Sequence, residues 1–275
     1  MLEDLRASGI TEIAPKAYLS RKDIEELVLP DTIEKIGNWA FAHMKKLRRL
    51  VVPCREIRLG KEVFKGCEAL EQVCIESWQA ECGVERGREK EVADAAYLLA
   101  AALRYFCAQE LFVPQLFATQ DWFAQVDTEF LNFLSGCDEN GFNPMWFGGE
   151  EDYNDNDTNV EIYRRLRQKE KLSVVMCRLL HDAQMTGECR ERYHSFLRSL
   201  LLDGEVEVLW QFLAGQYAEN SGLISVLTES GCVSAQNREA VLQRLSGIGA
   251  EGKALLLTWY TGQTGNGDFF GEMEL

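Results

Sequence analysis

Apolar residues recur through the first 76 positions of the chain at a fixed spacing of 23. Ile13, Ile36 and Leu59 form one column, and Tyr18, Phe41 and Phe64 a second. Ile24, Leu47 and Leu70 form a third, Leu27, Leu50 and Val73 a fourth, and Leu29, Val52 and Ile75 a fifth. Five columns that hold one period through three copies without a gap are not a chance alignment. A period of roughly 20 to 50 residues is the signature of a stacked solenoid, in which each unit buries its apolar face only against the next. Within a unit, LVLP, LVVP and VCIE alternate, with the first and third residues in the columns, so each is a short half-buried strand. Pro30 and Pro53 end two of these strands, where a missing N–H does least harm. IEKIG repeats the alternation more weakly, with Gly37 and Gly60 supplying a turn. NWAFAHMKKL and KEVFKGCEAL place an aromatic residue and a leucine six apart, which predicts a helical or 3-10 turn packed across the strands.

Five stretches carry a family likeness: the IxxIGxxAF-like Ile33–Phe41 and Ile57–Phe64, the Gly66–Cys67 pair, and the LxxLxxP-like Leu47–Pro53 and Leu70–Ile75. These units resemble the BspA-type leucine-rich repeats of bacteria. The first copy departs from the pattern, with Ala14 where the glycine stands and SRKD where a tight turn is usual. The resemblance implies a curved right-handed solenoid whose strand face binds a partner, and it does not imply catalysis. Three turns are a bare minimum for a solenoid. The open end after residue 76 therefore needs a cap, and the rest of the chain is the candidate.

The pattern changes after the polar segment AECGVERGREKE. VADAAYLLAAALRYFCAQELF is apolar almost all round, as in a buried helix, and TQDWFAQVDTEFLNFLSG predicts a second. CDENGFNPMWFGGEEDYNDNDTNVE reads as a long loop. Thr158–Glu161 has the capping-box pattern of a helix start. VEIYRRLRQ and SVVMCRLLHDAQ then predict two helical segments, joined at Gln168–Lys171 by a turn expected to be more helical because RRLRQKEKL lacks the proline that usually follows RL, and CRERYHSFLRSLLLDG predicts another helix. From Glu205 the chain becomes a series of short apolar helices: EVEVLWQFLAG, GLISVLTESG, REAVLQRLSGIG and GKALLLTWYTG. Short antiparallel pairs of this kind build alpha-solenoids. Tyr163–Leu166, Tyr193–Leu197, Leu223–Gly231 and Asn237–Tyr260 resemble the helical region found beside BspA-type repeats, and GEVEVLWQFLAG and LISVLTESG are similar to ankyrin repeats without the TPLHxA signature. The expected fold class is α+β. A leucine-rich-repeat solenoid of about three 23-residue turns occupies 1–80, and an all-α region 81–275, ankyrin-like in 187–262.

The net charge of −15 is unevenly spread. Residues 1–76 hold 13 basic and 13 acidic side chains, and the remainder holds 16 and 31, so the helical part carries the whole excess. An acidic body repels phosphate backbones, which argues against nucleic acid as a partner. No apolar run is long enough to span a bilayer, and the acidic start MLEDLRASGITEI does not resemble a secretory leader. The cytoplasm is the expected compartment if Met1 is the natural start. Nine irregularly spaced cysteines without a CxxC pair fit free thiols in a reducing environment.

Four groups are candidates for chemistry or binding. The loop 138–161 holds eight acids and no base, with Asp152, Asp155 and Asp157 as the weak cation candidates, but no register matches an EF-hand. Cys177 and His181 stand four apart and would share a helix face, with Cys189 and His194 beyond. This spacing is poor for zinc, and buried thiols are the simpler reading. No phosphate loop, nucleophile elbow or HExxH occurs. The last group is the outward face of the repeat strands: Glu26 and Val28, Arg49 and Val51, Gln72 and Cys74. The expectation is thus a non-catalytic scaffold for a protein partner, with no cofactor, no nucleic acid and no membrane. The alternatives are a metal-dependent or thiol enzyme using the acidic loop or the Cys/His group, and a surface ligand-binder if a leader precedes Met1.

Overall fold

The computed structural model describes residues 1–76, 87–106, 109–140, 142, 156–202, 207–217, 220, 222–245 and 250–263. The first of these stretches is a three-turn β-solenoid with parallel sheets. One sheet has the order β1 (Leu2–Asp4), β3 (Glu26–Val28), β5 (Arg49–Pro53), β7 (Gln72–Glu76). The other has the order β2 (Glu12–Ile13), β4 (Lys35–Ile36), β6 (Arg58–Leu59). Leu27 pairs with Leu50 and Leu50 with Val73, and Ile13 pairs with Ile36 and Ile36 with Leu59. The register is thus 23 residues per coil, as the columns required. Most column residues fill the inside, and the rings of Tyr18, Phe41 and Phe64 form a ladder, Phe41 stacked on Phe64 at a centroid distance of 5.4 Å and Tyr18 tilted against Phe41 at 5.3 Å.

The third side of each coil corrects an expectation. The aromatic segment forms turns, not a helix. Alternate N–H groups there bond to the next coil: Lys16 to Asn38 O, Tyr18 to Ala40 O, Ser20 to Ala42 O, and Trp39, Phe41 and His43 to Lys61, Val63 and Lys65. A helix cannot supply such bonds, because its N–H groups point along its own axis. Two left-handed residues per coil break the helical path, Lys16, Trp39 and Glu62 at one position and Ser20, His43 and Gly66 at the other. The corner before this side is tight. A Cβ on Gly37 would lie 2.5 Å from Pro15 N, and one on Gly60 2.6 Å from Asn38 N. The corresponding Ala14 is exposed, so its methyl group meets no coil.

The chain divides into two compact units, Met1–Gly136 with His181–Thr186, and Cys137–Leu180 with Gly187–Leu275. In the first unit, helix α1 (Glu89–Tyr105) packs on β7 and closes the end of the solenoid. The amide of Gln109 completes the closure over the second sheet: Oε1 accepts from Leu59 N at 2.6 Å, and Nε2 donates to Ile57 O at 3.1 Å. Helix α2 (Gln120–Ser135) starts at Thr119, whose hydroxyl accepts from Trp122 N.

The second unit contains α3 (Asn156–Leu180), α4 (Gly187–Leu202), α5 (Glu207–Gln216), α6 (Gly222–Glu229), α7 (Arg238–Arg244) and α8 (Ala250–Gln263). Gln168–Lys171 is helical, in line with the missing proline, and α3 runs unbroken for 25 residues. No proline or glycine interrupts that stretch, so nothing ends the hydrogen-bond ladder. The helix also begins two residues before Thr158. Leu172, Val175, Met176 and Leu179 make α3 the apolar spine against which α4, α5 and α6 pack.

Candidate interaction face

The parallel register sets the outward side chains of the larger sheet in two rows. Glu26, Arg49 and Gln72 align in one, and Val28, Val51 and Cys74 in the other. Arg49 Nη1 donates to Glu26 Oε1 at 2.8 Å. Contact with the Cys74 side chain, and then with Glu26, raises the proton affinity of Arg49, so its guanidinium is a fixed positive charge. Val51 and Cys74 are half-buried, but Val28 is only 5% exposed and contributes little surface. β1 extends both rows, with Leu2 beside Glu26 and Asp4 beside Val28. Leu2 is 53% exposed.

At the other edge the first row runs into α1. Gln72 Nε2 donates to the Tyr97 hydroxyl at 2.8 Å, and the Tyr97 ring stacks on His181 at a centroid distance of 4.1 Å and an interplanar angle of 9°. His181 Nδ1 lies 3.2 Å from Asp94 Oδ1, and the other carboxylate oxygen accepts from Ala183 N at 2.9 Å. Asp94 is buried within the apolar run Val92–Leu103 of α1, and this turn of chain supplies the partners that its burial demands. Lys90 pairs with Asp182 at 2.6 Å, and Gln184 Nε2 donates to Glu91 Oε1. The result is a continuous polar row from Glu26 through Arg49, Gln72 and Tyr97 to His181.

The remaining candidates are placed differently. Helix α3 ends at Leu180, so Cys177 and His181 do not share a helix face; His181 turns to Asp94 and Tyr97 in the first unit. Cys189 and His194 lie on α4. Asp152 and Asp155 fall outside the described residues, and Asp157 is placed only as backbone in the first turn of α3. The acids of the 138–161 stretch whose side chains are among the described residues are engaged by bases. Asp138 pairs with Lys171 at 2.5 Å, Glu139 with Arg164 at 2.7 Å, and Glu161 with Arg164 and Arg165. Among the described residues no three His, Cys, Asp or Glu side chains converge to hold a metal, and no helix is long and apolar enough to cross a membrane.

The basic run Lys45–Arg49 is partly neutralised by neighbouring coils, since Lys45 pairs with Glu68 at 3.5 Å and Arg49 with Glu26. Glu12–Lys35, at 2.6 Å, is a third ion pair between residues 23 apart. Such pairs tie one coil to the next.

This coil of two parallel sheets, with a glycine corner and an aromatic ladder, is the geometry that the repeat pattern called for. Residues 7–83 match the BspA type leucine rich repeat region, in six copies. No curated protein and no solved structure matches the chain. The match covers the solenoid and leaves the helices unassigned. Sequence reasoning missed β1, Tyr97 and the Asp94–His181 contact. β1 has an acid, Glu3, at the position that pairs with Leu27, so it lacks the apolar mark of its neighbours. Asp94 did leave a signal, because a single acid within VADAAYLLAAA requires a buried partner.

Proposed function

We propose that the protein is a non-catalytic scaffold that binds a protein partner on the outer face of the larger solenoid sheet and the adjoining helix α1. Repeats of the matched type serve in general as protein–protein interaction modules. The observation that carries the reading is the row Glu26, Arg49, Gln72, Tyr97, flanked by half-buried Val51 and Cys74. An arginine and a tyrosine in a row beside apolar surface are the residue types that dominate interface energetics. Rigidity of the sheet lowers the ordering cost of binding.

The ankyrin-like reading of residues 187–262 belongs to the same proposal. It is supported by helices of 10, 8, 7 and 14 residues at α5 to α8. Seven cysteines outside any disulfide among the described residues favour a reducing, cytoplasmic setting.

The test is affinity capture from the native cell with wild type and with the double variant Arg49→Ala/Val51→Asp. Both side chains lie at the surface of the sheet, so the variant should fold with the wild-type melting behaviour. A specific partner should be recovered by the wild type, and its affinity should fall at least about tenfold, about 1.4 kcal/mol, in the variant. Recovery of the same partners at the same affinity would reject this face.

A further inference from the structure

In the second unit, His194 lies on α4 between Glu191, three residues before it, and Arg198, four residues after it. These three positions share one helix face. Arg198 Nη2 donates to Glu191 Oε1 at 2.5 Å, so the ion pair spans the two turns that carry the histidine. The same guanidinium donates through Nη1 to Ser230 O at 2.9 Å, just past the end of α6. His194 is 6% exposed, and its Nε2 is buried with no hydrogen-bond partner among the described residues.

We propose that His194 makes the junction between α4 and the end of α6 a proton-sensitive latch, closed while the imidazole is neutral and opened by its protonation. A neutral imidazole can leave one nitrogen as a bare lone pair. An imidazolium carries N–H on both nitrogens, and the one at Nε2 would be a buried donor with no acceptor. The charges around it do not favour the proton decisively. Glu191 on α4 and Glu229 on α6 attract it, while Arg190 and Arg198 on α4 repel it. Among the elements packed against α4, α3 carries the buried bases Lys171 and Arg178, and α5 carries Glu207. Lys171 is held by Asp138 and Glu207 by Arg244. Burial is the largest influence, and it lowers the proton affinity of His194 below the ordinary histidine value. Arg198 keeps the Glu191 carboxyl below its usual range, so the ion pair stays charged as His194 titrates.

The sign follows from linkage. Between the lowered folded value and the ordinary unfolded one, the opened state binds more protons than the closed state. The stabilisation is complete above about pH 6.5 and is lost as the pH falls through that window.

Hydrogen exchange of the full chain, corrected for intrinsic rates, tests this from pH 7.5 to 5. Opening in peptides covering α4 and residues 226–233 should increase by up to about tenfold per pH unit below about 6.5, while solenoid peptides stay level. His194→Gln should flatten the response of α4. A flat wild-type profile, an equal slope in the variant, or a parallel rise in the solenoid would overturn the proposal. Imidazole titration of the folded wild type by NMR is an independent check that needs no variant. A midpoint below the ordinary histidine range supports the latch, and one at or above it refutes the latch.

Discussion

Replacing Gln109 with alanine should weaken the first unit by about 2 kcal/mol. In the second solenoid sheet each coil donates N–H groups to the coil before it, as in Arg58 N to Glu34 O and Gly60 N to Ile36 O. The last coil would be left with the Leu59 N–H and the Ile57 C=O pointing outward. The Gln109 side chain is a primary amide, so it offers the same acceptor and donor as a peptide group, and it takes the place of a further strand at 2.6 and 3.1 Å. Each net hydrogen bond is worth about 1 kcal/mol, more where the abandoned group is shielded from water. Gln109→Glu separates the two contributions. Its carboxylate still accepts from Leu59 but repels Ile57 O, so at least half the loss should persist. The assay is denaturant unfolding, followed with hydrogen exchange at the Leu59 amide. A loss of about 2 kcal/mol corresponds to faster opening by about thirtyfold at that amide if it exchanges through unfolding of the edge. An unchanged midpoint together with unchanged Leu59 exchange in Gln109→Ala would refute the cap.

Two further substitutions probe the coil itself. Phe41→Ala empties the centre of the Tyr18–Phe41–Phe64 stack, where the ring is fully buried, and should cost about 3–5 kcal/mol by denaturant unfolding; a loss under about 1 kcal/mol would mean the stack is not the core. Ser20→Gly should stabilise by up to about 1 kcal/mol, because exposed Ser20 sits at φ 60°, where the third coil has Gly66. A destabilised Ser20→Gly variant would show that the left-handed column carries no strain.

Much of the first unit is legible in the sequence because its signal is redundant. A fixed spacing of 23 is enough to place Leu27, Leu50 and Val73 in register, and the paired strands keep that register. The same counting names the outward row. It fails at Val28, because alternation says which way a side chain points, not what covers it. The turn side defeats local spacing for a related reason. An aromatic residue and a leucine six apart suit a helix, but the N–H groups of Trp39, Phe41 and His43 find acceptors in the next coil, and local spacing carries no trace of a partner about 22 residues away. The unbroken α3 follows from composition, since nothing at Gln168–Lys171 breaks a helix.

The sequence by itself determined the repeat, its period, its inward columns and the change to helices after the solenoid. All of these depend on which residues are apolar and how far apart they stand. Only the tertiary structure decided what closes the last coil, where Asp94 finds its partners, and which charges are neutralised. Gln109 meets β6 across 50 positions, and His181 meets Asp94 across 87. Burial of a polar group demands a partner but does not say where along the chain that partner lies. Periodicity is a local property of the chain, and satisfaction of its buried polar groups is a property of the folded whole.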